Sequence, residues 1–188
     1  MSRLLGAAAA ALLLAATAYA AGLDPRSLVL TQADMPAGYR LDRNDSFVMS
    51  NARFSGGIRA NEKLVARSGR ITGYLATYER RAGERLRTIR SRTDVLATPA
   101  GARLLLSALD ASMRKTNAKR PPLLAYGRER AGIGGEGWVH WSGSPGYFVF
   151  VMWRHGRVLG VVDSWGVGRE RTLALARVQQ RRLAAALR

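Results

Sequence analysis

The segment from Tyr147 to Arg154 is apolar on both parities, with Phe148, Phe150 and Met152 on one and Val149, Val151 and Trp153 on the other. Successive side chains of a strand point to opposite faces. A strand that is apolar on both belongs in the interior of a sheet, with material packed above and below it. Its neighbours are the aromatic and β-branched runs Trp138 to Ser142 and Arg157 to Trp165. The His155-Gly156 link has the length of a tight hairpin, and Gly143-Ser-Pro-Gly146 makes the other connection. Pairing Arg154 with Arg157 and Ser142 with Tyr147 sorts the side chains. One face then carries Val139, Trp141, Phe148, Phe150, Met152, Leu159, Val161 and Trp165, and the other carries Trp138, His140, Tyr147, Val149, Val151, Trp153, Val158 and Val162.

Two more strands are expected upstream. Arg70 to Arg80 and Thr88 to Leu96 both alternate with period two, the signature of half-buried strands. With Arg80 opposite Thr88, one face collects Arg70, Tyr74, Tyr78, Arg80, Arg90 and Arg92. Residues 28–37 read as a helical turn before a short extended start at Tyr39. Residues 42–69 are polar and rich in Gly, Asn and Ser, and read as a connection with a weak helical patch near 59–66. Thr98-Pro99 opens a helix to about Lys115, with Thr as N-cap and Pro where its missing N–H costs nothing. Its expected buried stripe is Leu105, Ala108, Leu109 and Met113. A last helix over 168–187 presents Leu173, Ala176, Leu183 and Leu187 on one side, beside an Arg177, Arg181, Arg188 stripe. The fold class that follows is α+β: a mainly antiparallel sheet of about five to six strands with helices packed on one face.

The beginning of the chain reads differently. Arg3 precedes an Ala/Leu/Gly run from Leu4 to Ala16, and Ala18-Tyr-Ala20 has the small-x-small spacing of a signal-peptidase site. Residues 1–20 are therefore expected to be a signal peptide, and 21–188 a single α+β domain that is exported to the periplasm or beyond. No stable membrane span is expected after cleavage.

Few chemistries fit these residues. With no Cys in 188 residues, disulfides, thiolate metal sites and cysteine nucleophiles are excluded. Gly132-Ile-Gly134-Gly135-Glu-Gly137 matches a dinucleotide pattern, but that pattern works only between a strand and a helix, and here a strand follows. The two histidines, His140 and His155, lie most of a strand apart and have no acids at ligand spacing, so no metal site is expected. The nucleophile elbow of the esterases does not occur. An envelope hydrolase using Asp163 and His140 is the enzymatic alternative to a non-catalytic binding or accessory role. No cofactor is expected.

Two binding surfaces are candidates. Trp138, His140, Tyr147 and Trp153 share a face for which few helices are available as cover, so part of it could line a groove for an apolar or sugar ligand. Tyr74, Tyr78, Arg90 and Arg92 form part of a basic face. The net charge is +17, and of the 30 basic residues only Lys63, Lys115 and Lys119 are lysine. Arg offers planar, bidentate contacts to phosphate and carboxylate, so weak binding of a polyanion (nucleic acid, anionic lipid or anionic polysaccharide) is the alternative reading. Sequence-specific nucleic-acid binding is not expected, because no base-reading motif is present. The partners expected are an anionic envelope component or another envelope protein.

Several stretches carry a resemblance. Leu30-Thr-Gln-Ala-Asp34-Met-Pro36-Ala-Gly38-Tyr39, Gly73-Tyr74 with Tyr78-Glu79-Arg80, Thr98-Pro-Ala-Gly101-Ala102, Gly132-Ile-Gly134-Gly135-Glu136 and Ala174-Leu-Ala-Arg-Val-Gln179 resemble a family of small exported bacterial domains of unassigned function. Their order also resembles the PsbP-like fold. That resemblance implies a sheet with helices on one side, used as a binding module, and assigns no catalytic residues.

Overall fold

The computed structural model describes residues 22–83, 85–118, 125–143 and 147–188, and the expected signal peptide lies outside them. The strands are β1 (Arg40–Val48), β2 (Arg70–Ala82), β3 (Arg85–Leu96), β4 (Tyr126–Arg130), β5 (Glu136–Ser142), β6 (Phe148–His155) and β7 (Val158–Trp165). The helices are α1 (Asn51–Ser55), α2 (Arg59–Ser68), α3 (Pro99–Ala118) and α4 (Arg169–Ala186), with a 3-10 turn at Gln32–Asp34. All strands join one antiparallel sheet in the order β1-β2-β3-β7-β6-β5-β4. The fold is α+β with seven strands, not five to six. The edges are β1, expected only as a short extended start at Tyr39, and β4, which was not expected. Edge strands need no apolar pattern, and Arg40–Val48 and Tyr126–Arg130 show none.

Helices cover both faces, which corrects the one-sided arrangement. α4 and the buried Leu28, Val29 and Leu30 pack on one face, against Ala76, Tyr78, Ile89, Val149, Val151, Trp153 and Val162. α3 packs on the other through Ala102, Leu105 and Leu106, against Leu96, Met152, Leu159 and Val161. β6 therefore does sit centrally with a cover on each side. Thr98 caps α3 by accepting from Gly101 N at 3.0 Å. Gly101 is obligatory here, because a Cβ would lie 1.9 Å from Ser68 O at the end of α2.

Two registers differ from expectation by one residue, and a one-residue slip exchanges the faces of a strand. Arg80 pairs with Arg87, so Tyr78 faces Ile89 and Thr77 faces Arg90. Ser142 pairs with Phe148, so Trp138 and His140 join Phe148, Phe150 and Met152, while Val139 and Trp141 join Trp153. The β6–β7 hairpin closes on His155 and Val158. That is a shift of two from the expected pairing, and its faces are as expected.

Candidate functional site

The face covered by α3 also carries the charged part of the sheet. A bulge near Ile71 in β2 turns Arg70 onto this face beside Asp94 of β3. Both side chains are fully buried. Arg70 donates from Nε to Asp94 Oδ1 at 2.8 Å, from Nη1 to Asn51 Oδ1 at 2.7 Å and from Nη2 to Met49 O at 2.7 Å. Burial pulls the Arg70 guanidinium below its ordinary value, with Asp94 opposing. Gly73 provides the room for this pair, since a Cβ there would sit 2.6 Å from Arg70 Nη2 and 2.8 Å from Asp94 Oδ1.

Arg92 is the second cation on the same carboxylate. Its Nε lies 3.0 Å from Asp94 Oδ2, at an angle that makes no hydrogen bond, and its Nη2 is buried without a hydrogen-bond partner. One carboxylate thus serves two guanidinium groups, and Arg70 holds the better geometry. Both guanidinium groups lie over Phe54 of α1, with Arg70 Cζ 4.5 Å and Arg92 Cζ 5.5 Å from its ring centre.

Arg92 forms part of the lining of a cleft of about 360 Å³ between α1, α2 and α3. Its apolar walls are Met49, Phe54, Leu64, Ala108 and Leu109, and its polar groups are Arg53, Asn61 and Ser112. α1 exists because Ser50 caps it, accepting from Arg53 N, and because Gly56 ends it in the left-handed conformation. That short helix places Phe54 and Arg53 at the cleft. Among the described residues no acid lines the cleft, so Arg53 and Arg92 leave it electropositive beside an apolar wall.

A second buried network ties α3 to the β4 edge. Asp110 accepts a two-pronged contact from Arg128, Nε to Oδ1 at 2.8 Å and Nη2 to Oδ2 at 2.9 Å. It also holds His140 Nε2 at 2.9 Å, and His140 Nδ1 lies 2.6 Å from the Tyr126 hydroxyl. Neutral His140, with its proton on Nε2, satisfies this arrangement: it donates to Asp110 and accepts from Tyr126. Burial pulls the His140 pKa below its ordinary 6.5, outweighing Asp110. Burial pushes the Asp110 carboxyl up, but Arg128 and His140 outweigh it and leave the pKa below 3.8.

The sign of the pH effect follows. Between pH 6.5 and its lower folded value, His140 binds fewer protons folded than unfolded, so its contribution to stability is lost as pH falls through that window. Asp163 acts in the opposite sense, because burial pushes its carboxyl above 3.8 despite Arg90. The comparison that isolates His140 is urea unfolding of wild type and His140→Gln at pH 7.5 and 5.5. Wild type should lose more stability on acidification than the variant does.

The expected basic face is divided between the two sides of the sheet. Tyr78 is buried on the α4 side, where its hydroxyl donates to Leu30 O at 2.7 Å and burial pushes its pKa up to about 12. Tyr74 is half-buried on that side, under Arg26. Arg90 and Arg92 are on the α3 side. Arg90 donates from Nε to Asp163 Oδ2 at 2.9 Å and lies over Trp165.

The expected aromatic face is divided as well. Trp138 and His140 are on the α3 side, with Trp138 beneath the guanidinium groups of Arg128 and Arg130. Trp153 is fully buried on the α4 side and donates from Nε1 to Gln180 Oε1 at 2.7 Å. Tyr147 is exposed beside the start of β6. Among the described residues no group of three or more His, Cys, Asp or Glu is placed to hold a metal.

Comparison with protein-family models and with curated protein sequences gives no match. Among solved structures the chain is similar to the extracellular domain of PknH from Mycobacterium tuberculosis. The TM-score is 0.46 and the identity 11%, over 85% of this chain and 97% of that one.

Proposed function

We propose that this chain is an exported, non-catalytic binding domain of the bacterial cell envelope, and that it takes a small anionic amphiphile into the cleft between α1, α2 and α3. The observation that carries the reading is Arg92. Its guanidinium is largely buried, its one ion pair among the described residues is to the acid it shares with Arg70, and it lies beside an apolar wall. A buried cation with incomplete pairing is costly, and an anion entering from the cleft would complete it. The volume is near the lower end of the ~300–1,000 Å³ of small-molecule sites, which suits a single acyl or aryl chain and not a polymer. Export is supported by the Arg3, Leu4–Ala16 and Ala18-x-Ala20 pattern. Among the described residues no helix is long and apolar enough to cross a membrane.

A binding role is favoured over hydrolysis because the two side chains a hydrolase would need are committed elsewhere. His140 and Asp163 lie on one face but flank Phe150, with His140 engaged by Asp110 and Asp163 by Arg90. In a calorimetric titration, decanoate should bind and decyltrimethylammonium should not. Arg92→Met should bind decanoate roughly tenfold or more weakly, the loss of one charge-assisted contact. Equal affinity of the two proteins would overturn the reading.

A further inference from the structure

The arginines on the α3-side sheet face are paired with Asp94, Asp163 and Asp110 or lie over aromatic rings, and a second group of arginines stands apart from them. β1 pairs with β2 only as far as Glu79, and β7 pairs with β3 only from Thr88. Beyond these points the β2–β3 hairpin runs on unflanked through Arg80↔Arg87, Arg81↔Leu86 and Ala82↔Arg85. It forms a short arm with four arginines. None of the four makes an ion pair with a described residue.

Arg80 and Arg87 stand directly opposite each other, and like charges in that position repel. Their stems are steered by two glycines with positive φ. A Cβ at Gly38 would lie 3.2 Å from Arg80 Nε, and one at Gly166 would lie 3.3 Å from Arg87 Cγ. Arg171, at the start of α4, adds its charge to theirs, and all three act electrostatically on the buried Tyr39. Glu79 points to the other face of the sheet. At the foot of the arm is a depression of about 590 Å³ lined by Gln32, Gly38, Tyr39, Arg40, Leu41 and Arg43. Near the tip Leu86 is 45% exposed.

We infer that this arm is a docking surface for an anionic lipid bilayer, with Arg80 and Arg87 on headgroup phosphates and Leu86 at the acyl boundary. Opposed cations with no acid paired to them among the described residues are relieved by an anion seated there. Leu86 decides between polyanions, because a polysaccharide or nucleic acid offers no apolar layer to receive it. An apolar residue among arginines at a protruding tip matches the interfacial mode of membrane binding, in which burial and electrostatic attraction add. The arm lies apart from the cleft, and the inference does not depend on what the cleft holds.

The test uses residues 21–188, which include every described element, co-sedimented with vesicles of phosphatidylcholine alone or with about a third phosphatidylglycerol. Binding should require phosphatidylglycerol and weaken with salt. Each arginine near such a surface changes partitioning about fivefold, so Arg85→Ser/Arg87→Ser should bind roughly 25-fold more weakly. Leu86→Ser should bind roughly tenfold more weakly. Arg177→Ser/Arg181→Ser removes the same charge from the exposed side of α4 and should stay within about twofold of wild type. An unchanged circular dichroism spectrum and melting temperature verify that each variant is folded. Equal losses in the two double variants would overturn the inference, since net charge alone would then account for binding. So would an undiminished Leu86→Ser that binds heparin as tightly as it binds vesicles.

Discussion

Asp94→Ala should lower the free energy of unfolding by about 3–5 kcal/mol, the range for removing one partner of a buried ion pair. Arg70 is held from three sides and has no route to solvent. After the substitution its guanidinium keeps Asn51 Oδ1 and Met49 O but loses the charge that balances it. Arg92, which shares that carboxylate, loses its counter-ion too, so two cations are left beside Phe54 with no charge between them. Urea denaturation with an unchanged m-value measures the loss. A loss below about 1 kcal/mol would show that Arg70 is compensated by something other than Asp94.

Trp153→Ala should cost a similar ~3–5 kcal/mol by opening a cavity in the α4-side core. The indole is fully buried and lies over Gly160, where a Cβ would come within 2.5 Å of the ring. Its Nε1 donates to Gln180, so the substitution also removes a contact between the sheet and α4. Gly160→Ala presses on the same ring from below and should cost about 1–3 kcal/mol, because the tethered indole cannot slide aside. Trp153→Phe keeps most of the apolar volume and should fall between wild type and the alanine variant. Thermal and urea unfolding of the three variants would expose a contradiction if Gly160→Ala were neutral.

These two sites show how much could be read from the residues alone. The central position of β6 was legible because both parities of Phe148 to Trp153 are apolar, and no edge strand has that pattern. The capped start of α3 was legible in Thr98-Pro99. Register was not, because it depends on how many residues the turns at Gly83 and Gly143 consume, and one residue either way is equally compatible with alternation. That single uncertainty placed Tyr78 beside Arg90 and His140 beside Trp153, when each pair is separated by the sheet.

The cleft was missed because α1 is five residues long and lies in a polar stretch. Its only signals are Ser50 and Gly56 at the two ends. Asp110 left a clearer trace. It follows Leu106 by four residues, so it lies on the buried stripe of α3, where a carboxylate needs partners. Those partners, Arg128 and His140, come from strands far along the chain, and only β4, which has no apolar pattern, brings Arg128 to the site.

Occupancy of the cleft is most directly measured by native mass spectrometry of protein purified from its own cells without detergent exchange. Wild-type protein should carry a bound molecule that organic solvent releases as a carboxylated or phosphorylated amphiphile, and folded Arg92→Met should have lost it. A bare wild-type mass, a neutral or cationic retained molecule, or equal retention by Arg92→Met would contradict binding of an anionic amphiphile at Arg92.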